Sequence, residues 1–185
     1  MKRVLVFLLF ASFAIVPAAL AQAPAASVAP ADPLSGTLKA LWDGVKRNIV
    51  ESAEKMPEAD YAFKPTPDVR SFGELLGHVA NSNFNYCARV KGEKNPNEGN
   101  DIEKKTAKAD LQKGLADSFA YCDGVYGTMT DAKAMEIVKI GQREAPRAGL
   151  LIANISHDNE HYGNIVTYMR LKGLVPPSTA RTQKR

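Results

Sequence analysis

LLIANISHDNEHYGNIVTYM, residues 150–169, is the stretch on which the fold turns. Leu150, Leu151, Ile155, Ile165, Tyr168 and Met169 recur at the three- and four-residue spacings of a helix. His157 and His161 fall in the same stretch, so their side chains stack one above the other on a single helix face. Pro146 suits a first-turn position and Gly173 a stop, which bounds a long helix that must find partners to bury its apolar residues.

Three more helices precede it. Asp32-Pro33 sets a capping acceptor before a proline at the first helical position, and Leu34, Leu38, Leu41, Val45 and Ile49 follow in register until Pro57. Tyr61 to Arg70 carries two prolines and reads as a loop. Ser71 and Glu74 then form a capping box that opens a second helix running to about Val90. Its apolar residues, Phe72, Leu75, Leu76, Val79, Ala80, Phe84 and Cys87, occupy more than one narrow stripe and predict deep burial. Lys91 to Lys105 holds Gly92, Pro96, Gly99 and many charges, the pattern of an exposed connection. A third helix places Leu111, Leu115, Phe119, Cys122 and Met129 in register. Residues 131–144 fit either a short extended segment or a frayed helix. Four helices and almost no strand predict an all-α four-helix bundle over residues 33–175.

The chain outside that span reads differently. Lys2 and Arg3 precede an apolar run from Val4 to Val16, and Ala19-Leu20-Ala21 offers the small-x-small pattern of a cleavage site, so residues 1–21 are expected to be a secretory signal peptide. That run is shorter than the roughly 20 residues a membrane-spanning helix needs, and no later segment is long and apolar enough. The expected product is periplasmic or secreted, without stable membrane insertion. Residues 22–32 are rich in alanine and proline and read as a linker, and residues 176–185, after Pro176-Pro177, as a flexible, solvated tail. Removing Lys2 and Arg3 lowers the formal net charge from +4 to +2, which gives a nucleic-acid role no support.

The connection between the second and third helices bears on topology. About fifteen residues can extend on the order of 50 Å, enough to return along a twenty-residue helix of about 30 Å, so these two helices can run parallel. Cys87 and Cys122 lie at nearly equal depth in their helices and would meet in a parallel pair. In an oxidising compartment a Cys87–Cys122 disulfide is expected, against the plainer reading of two buried free thiols.

All three histidines of the chain enter one arrangement: the His157/His161 pair on the last helix and His78 on the second. Ser71-Phe72-Gly73-Glu74-Leu75-Leu76-Gly77-His78-Val79-Ala80 resembles the second-helix segment of the DinB-like bundle family, which includes bacillithiol S-transferase-like members. His157-Asp158-Asn159-Glu160-His161-Tyr162-Gly163-Asn164-Ile165 resembles its fourth-helix segment. Asn164 stands where many relatives have glutamine, and Tyr162 where arginine is frequent; neither is a ligand position. The resemblance implies an up-down-down-up bundle and a metal site formed by His78, His157 and His161. Three imidazoles suit zinc, nickel, copper, iron or manganese, and three protein ligands leave a position open to water or a small-molecule substrate.

What the centre does is less defined by sequence. The resemblance implies a metal-dependent thiol transferase, and metal-assisted hydrolysis is a second enzymatic reading. The alternative is a non-catalytic metal-binding or stress-related bundle. Hydrolysis would favour a carboxylate base near the metal, but Asp158 and Glu160 sit at about 100° and 300° from His157 on the helical wheel and turn away, toward solvent or a supporting role behind the ligands. Tyr86, Tyr162 and Tyr168 read as packing residues with wet hydroxyls, and Trp42 as core. No Gly-rich phosphate loop, G-x-S-x-G, C-x-x-C or internal repeat is present. A homodimer through an exposed helix face is compatible with the pattern, which selects no face.

Overall fold

The computed structural model describes residues 31–183. The expected signal peptide and nearly all of the linker lie outside the described residues. The main elements are α1 (Pro33–Lys55), α2 (Phe72–Lys91), α3 (Lys108–Gly127), a single turn α4 (Asp131–Ala134), a hairpin of β1 (Ile137–Ile140) and β2 (Arg143–Pro146), α5 (Arg147–Leu171) and α6 (Pro177–Thr182). The four long helices are the predicted bundle.

Their directions follow from which ends meet. Trp42, early in α1, donates from Nε1 to Asp123, late in α3 (2.9 Å), while Gln112, early in α3, donates to the Ala53 carbonyl late in α1 (3.2 Å). These two helices are antiparallel. The starts of α2 and α3 touch where Gly73 abuts Leu111, and their later turns are joined by the Cys87–Cys122 disulfide, so that pair is parallel. The last helix reverses against α2: Tyr168 donates to the Arg70 carbonyl at the start of α2 (2.7 Å), and Arg147 reaches the Val90 carbonyl at its end. The order is up, down, down, up. Closing the loop between the cysteines contributes on the order of 3 kcal/mol by restricting the unfolded chain.

The core lies where the four apolar faces converge: Trp42 and Ile49 of α1, Phe72, Leu76 and Val79 of α2, Phe119 of α3, and Leu151, Ile165 and Met169 of α5 are fully buried. Trp42 stacks on Tyr126, with ring centroids 4.6 Å apart. Among the described residues no helix is long and apolar enough to cross a membrane.

Local signals held in part. The capping box at α2 is complete: Ser71 accepts from the Glu74 amide (3.1 Å) and Glu74 accepts from the Ser71 amide (2.6 Å). Gly92 ends the helix in the left-handed region, at φ 72°. At α1 the expected cap differs. The Asp32 carboxylate makes no bond to its own helix; Asp131 accepts from the Leu34 and Ser35 amides (3.1 and 2.8 Å), and the Asp32 carboxylate in turn accepts from the Asp131 amide (2.8 Å). A carboxylate 97 residues further along the sequence thereby satisfies the orphaned donors and closes that end of the bundle. Residues 131–144 resolve into the turn α4 and the hairpin, with Gly141 at φ 62° taking the first position of its two-residue turn.

Two expectations drawn from composition are corrected. Within 176–185, expected as a flexible tail, residues 177–182 form α6. Ser178 exchanges hydrogen bonds with the Tyr162 hydroxyl (2.8 and 3.1 Å), and Arg181 pairs with Glu51 of α1 (2.7 Å). Ser178 and Arg181 thus have fixed partners on α5 and α1, while Lys184 and Arg185 lie outside the described residues. The crossover, expected to be wholly exposed, docks at Ile102, which is 2% exposed. A Cβ on Gly77 would lie 2.5 Å from the Glu103 Cα, and one on Gly114 would lie 2.7 Å from Ile102 Cγ2. Two glycines on adjacent helices thus open a slot, in which Gly77 admits the backbone of Ile102–Glu103 and Gly114 the Ile102 side chain.

Candidate metal centre

His78 sits two turns into α2, directly after the glycine that admits the crossover, and His157 and His161 project from the middle of α5 toward it. The Nε2 atoms of His78 and His157 are 3.1 Å apart, and those of His157 and His161 are 3.2 Å apart. One nitrogen from each ring lies within 4.8 Å of the others. The three residues singled out by spacing are therefore brought together. His161 is buried and the other two are partly buried.

Two carboxylates stand behind these rings. Glu103, from the crossover, lies 3.2 Å from His78 Nδ1 through Oε2 and accepts from Arg70 Nε through Oε1 (2.7 Å). Asp158 lies 3.4 Å from His157 Nδ1, long enough to be chiefly electrostatic. Each carboxylate draws the ring proton to Nδ1 and leaves Nε2 as a lone pair facing the cluster. Two such lone pairs 3.1 Å apart repel unless a proton or a metal cation lies between them. Tetrahedral coordination with nitrogens at about 2.0–2.1 Å from a metal requires nitrogen separations of about 3.3 Å. The donor set suits one divalent transition metal, and the two shorter nitrogen separations match that spacing.

The electrostatics favour neutral His78 and His161. Burial, with the neighbouring imidazoles, lowers the His161 pKa to about 4, and its Nδ1 is buried without a hydrogen-bond partner among the described residues. Burial and the charge of Arg70 likewise hold His78 below the ordinary imidazole value, against the pull of Glu103. Asp158 is fully buried, and desolvation pushes it up to about 6 despite His157 and Asn83. Of the two roles expected for Asp158, the solvated one is excluded. Glu160 remains at the surface and lines an open cleft beside His161.

Glu103 is the functional residue that sequence reasoning missed. The available signal was Ile102, a lone large apolar residue in a charged connection, which had to bury itself somewhere. Of the tyrosines, Tyr162 ties down α6, Tyr168 pins the Arg70 carbonyl, and Tyr86 packs its ring 5.8 Å from that of His157.

Solved structures share this architecture. A DinB-like protein from Bacillus cereus superposes with a TM-score of 0.65 at 19% identity, covering 77% of this chain and 95% of that one. A DinB-like protein from Bacillus subtilis gives 0.60 at 21% identity over 74% and 92%. A conserved protein from Enterococcus faecalis gives 0.61 at 17% identity over 74% and 95%. No curated protein matches the sequence significantly. The family model of the DinB superfamily matches residues 41–165, a span that contains all three histidines and Glu103, and the chain belongs to that superfamily.

Proposed function

We propose that this chain is an exported metalloprotein in which His78, His157 and His161 hold one divalent transition ion, with zinc, nickel, iron and manganese as candidates, and leave a position open to a small molecule. The observation that carries the reading is the convergence of three Nε2 atoms, two of them with Nδ1 turned to a carboxylate. A metal bound there lowers the pKa of a coordinated thiol or water and supplies a nucleophile near neutral pH. The protein's part is to orient the rings through Glu103 and Asp158, and to keep His161 unprotonated by burial.

Thiol transfer is the better supported chemistry. Both carboxylates nearest the histidines are engaged with imidazoles, which leaves neither free to deprotonate an attacking water. A thiol that has lost its proton needs no such base: its sulfur bonds to an electrophilic carbon, the leaving group departs, and the proton passes to buffer. The same shortage of a base supports, as a second reading, a metal-binding bundle without turnover. Export rests on the sequence of residues 1–21 and is consistent with the disulfide.

Elemental mass spectrometry of untagged protein from a periplasmic extract tests the centre. About one equivalent of metal in the wild type and none in a His78→Ala, His157→Ala, His161→Ala variant is expected; wild type that folds but cannot be loaded would overturn the reading. Amino-terminal sequencing of the same sample is expected to begin at Gln22. Metal-dependent turnover of a chromogenic aryl halide with an added thiol then separates transferase from non-catalytic binder.

A further inference from the structure

Beside His161 an open cleft of about 600 Å³ is lined by Lys64, Arg70, Glu103, Glu160 and Asn164. Several of its charges are already used. Lys64 pairs with Glu74 (2.9 Å), the acid that also caps α2, and Glu103 is shared between Arg70 and His78. Arg70 is different. Glu103 takes its Nε, while Nη1 and Nη2 make no hydrogen bond among the described residues.

The position of this arginine is set from two sides. Its carbonyl accepts from Tyr168, seven residues beyond His161 on the same helix, and its side chain is held by the acid that orients His78. Its positive charge is felt by both His78 and His161. Glu103 already lies between the guanidinium and His78 and takes Nε, so the planar pair of terminal donors is what remains to match a further carboxylate or similar oxyanion.

We propose that Arg70 anchors an acidic group of the ligand that occupies the open coordination position, so that the substrate class is a small molecule bearing one oxyanion a few bonds from its metal-binding atom. The inference rests on the metal reading above. Asp68 and Glu160, also on the cleft, oppose a second acidic group and select monoacids over diacids.

Cobalt(II)-loaded protein tests this through its visible absorption, titrated with three pyridines that share a metal-binding nitrogen and cannot chelate: 3-methylpyridine, nicotinate and 3-(aminomethyl)pyridine. Nicotinate is expected to bind about tenfold more tightly than 3-methylpyridine, and Arg70→Gln to reduce that preference to about twofold, read as the ratio of the two affinities within each variant so that any change at the metal common to both ligands cancels. Arg70→Lys, which keeps the charge but not the fork, is expected to fall between. Tightest binding of the aminomethyl compound, or a nicotinate preference that survives Arg70→Gln, overturns the assignment. A cobalt spectrum identical in wild type and triple-histidine variant would instead overturn the metal site itself, and the anchor with it.

Discussion

His157 and His78 are both turned by a carboxylate at Nδ1, but the two carboxylates are held in opposite ways. Asp158 is the next residue on the same helix and is fully buried, so its position is fixed by the backbone that carries the ligand. Glu103 comes from a connection 25 residues away in sequence, is 29% exposed at its side chain, and reaches His78 only because Gly77 lets that connection in. One support is built into an element and bears a desolvation cost. The other is partly exposed and depends on a loop staying docked.

Breaking the built-in support is expected to have the larger effect. Asp158→Ala should lower metal affinity about 10–100-fold, read by competition with a chromophoric chelator. An unchanged affinity would show that His157 is oriented by packing alone. Next comes the loop's socket. Gly77→Ala forces the Glu103 backbone outward and is expected to destabilise the fold by about 1–3 kcal/mol, with loss of metal affinity of about tenfold or less, measured by urea unfolding and the same competition. Removing the loop carboxylate alone should do least: Glu103→Gln keeps the shape and is expected to weaken metal binding several-fold while changing stability by less than about 1 kcal/mol. If Gly77→Ala and Glu103→Gln weaken binding equally, the glycine acts solely through that carboxylate.

A pH comparison sharpens the contrast further, as the smallest effect. In metal-free protein His161 is held at about 4, below its unfolded value, so its contribution is complete above about pH 6.5 and is lost as pH falls toward 4. Asp158 is raised to about 6, above its unfolded value, so it destabilises the fold above pH 6 and that penalty is relieved as pH falls toward 4. The two slopes oppose one another in the same window. Asp158→Asn removes one of them, and thermal unfolding between pH 6.5 and 4.5 is expected to show a steeper acid loss than in wild type.

The legible parts of the molecule were those written in local patterns. The four helices follow from apolar periodicity, the start of α2 from Ser71 and Glu74, the disulfide from two cysteines at matched depth, and the histidine cluster from a four-residue spacing plus one partner. What was not legible depends on residues far apart in sequence. Asp131 caps α1 from 97 residues away, and Arg181 finds Glu51 across 130. Burial of Asp158 could not be read from a helical wheel, because α2, with Asn83 beside Asp158, covers a flank of α5 that the apolar stripe does not mark. Ile102 vanished into a charged connection because a slot made by two glycines on different helices has no signature in either helix alone.

That slot also divides the crossover by how much change it can absorb. Everything between Gly92 and Asn100 spans a gap, with little of it buried, and loop length there enters the free energy only through a slowly growing closure term. From Ile102 onward the chain is keyed to the helices beneath it, and inserting one residue between Ile102 and Lys108 would pull Glu103 or the start of α3 out of place. The connection is thus a tether for its first half and a fixed part for its last few residues, and lineages or designers altering this protein have room only in the former.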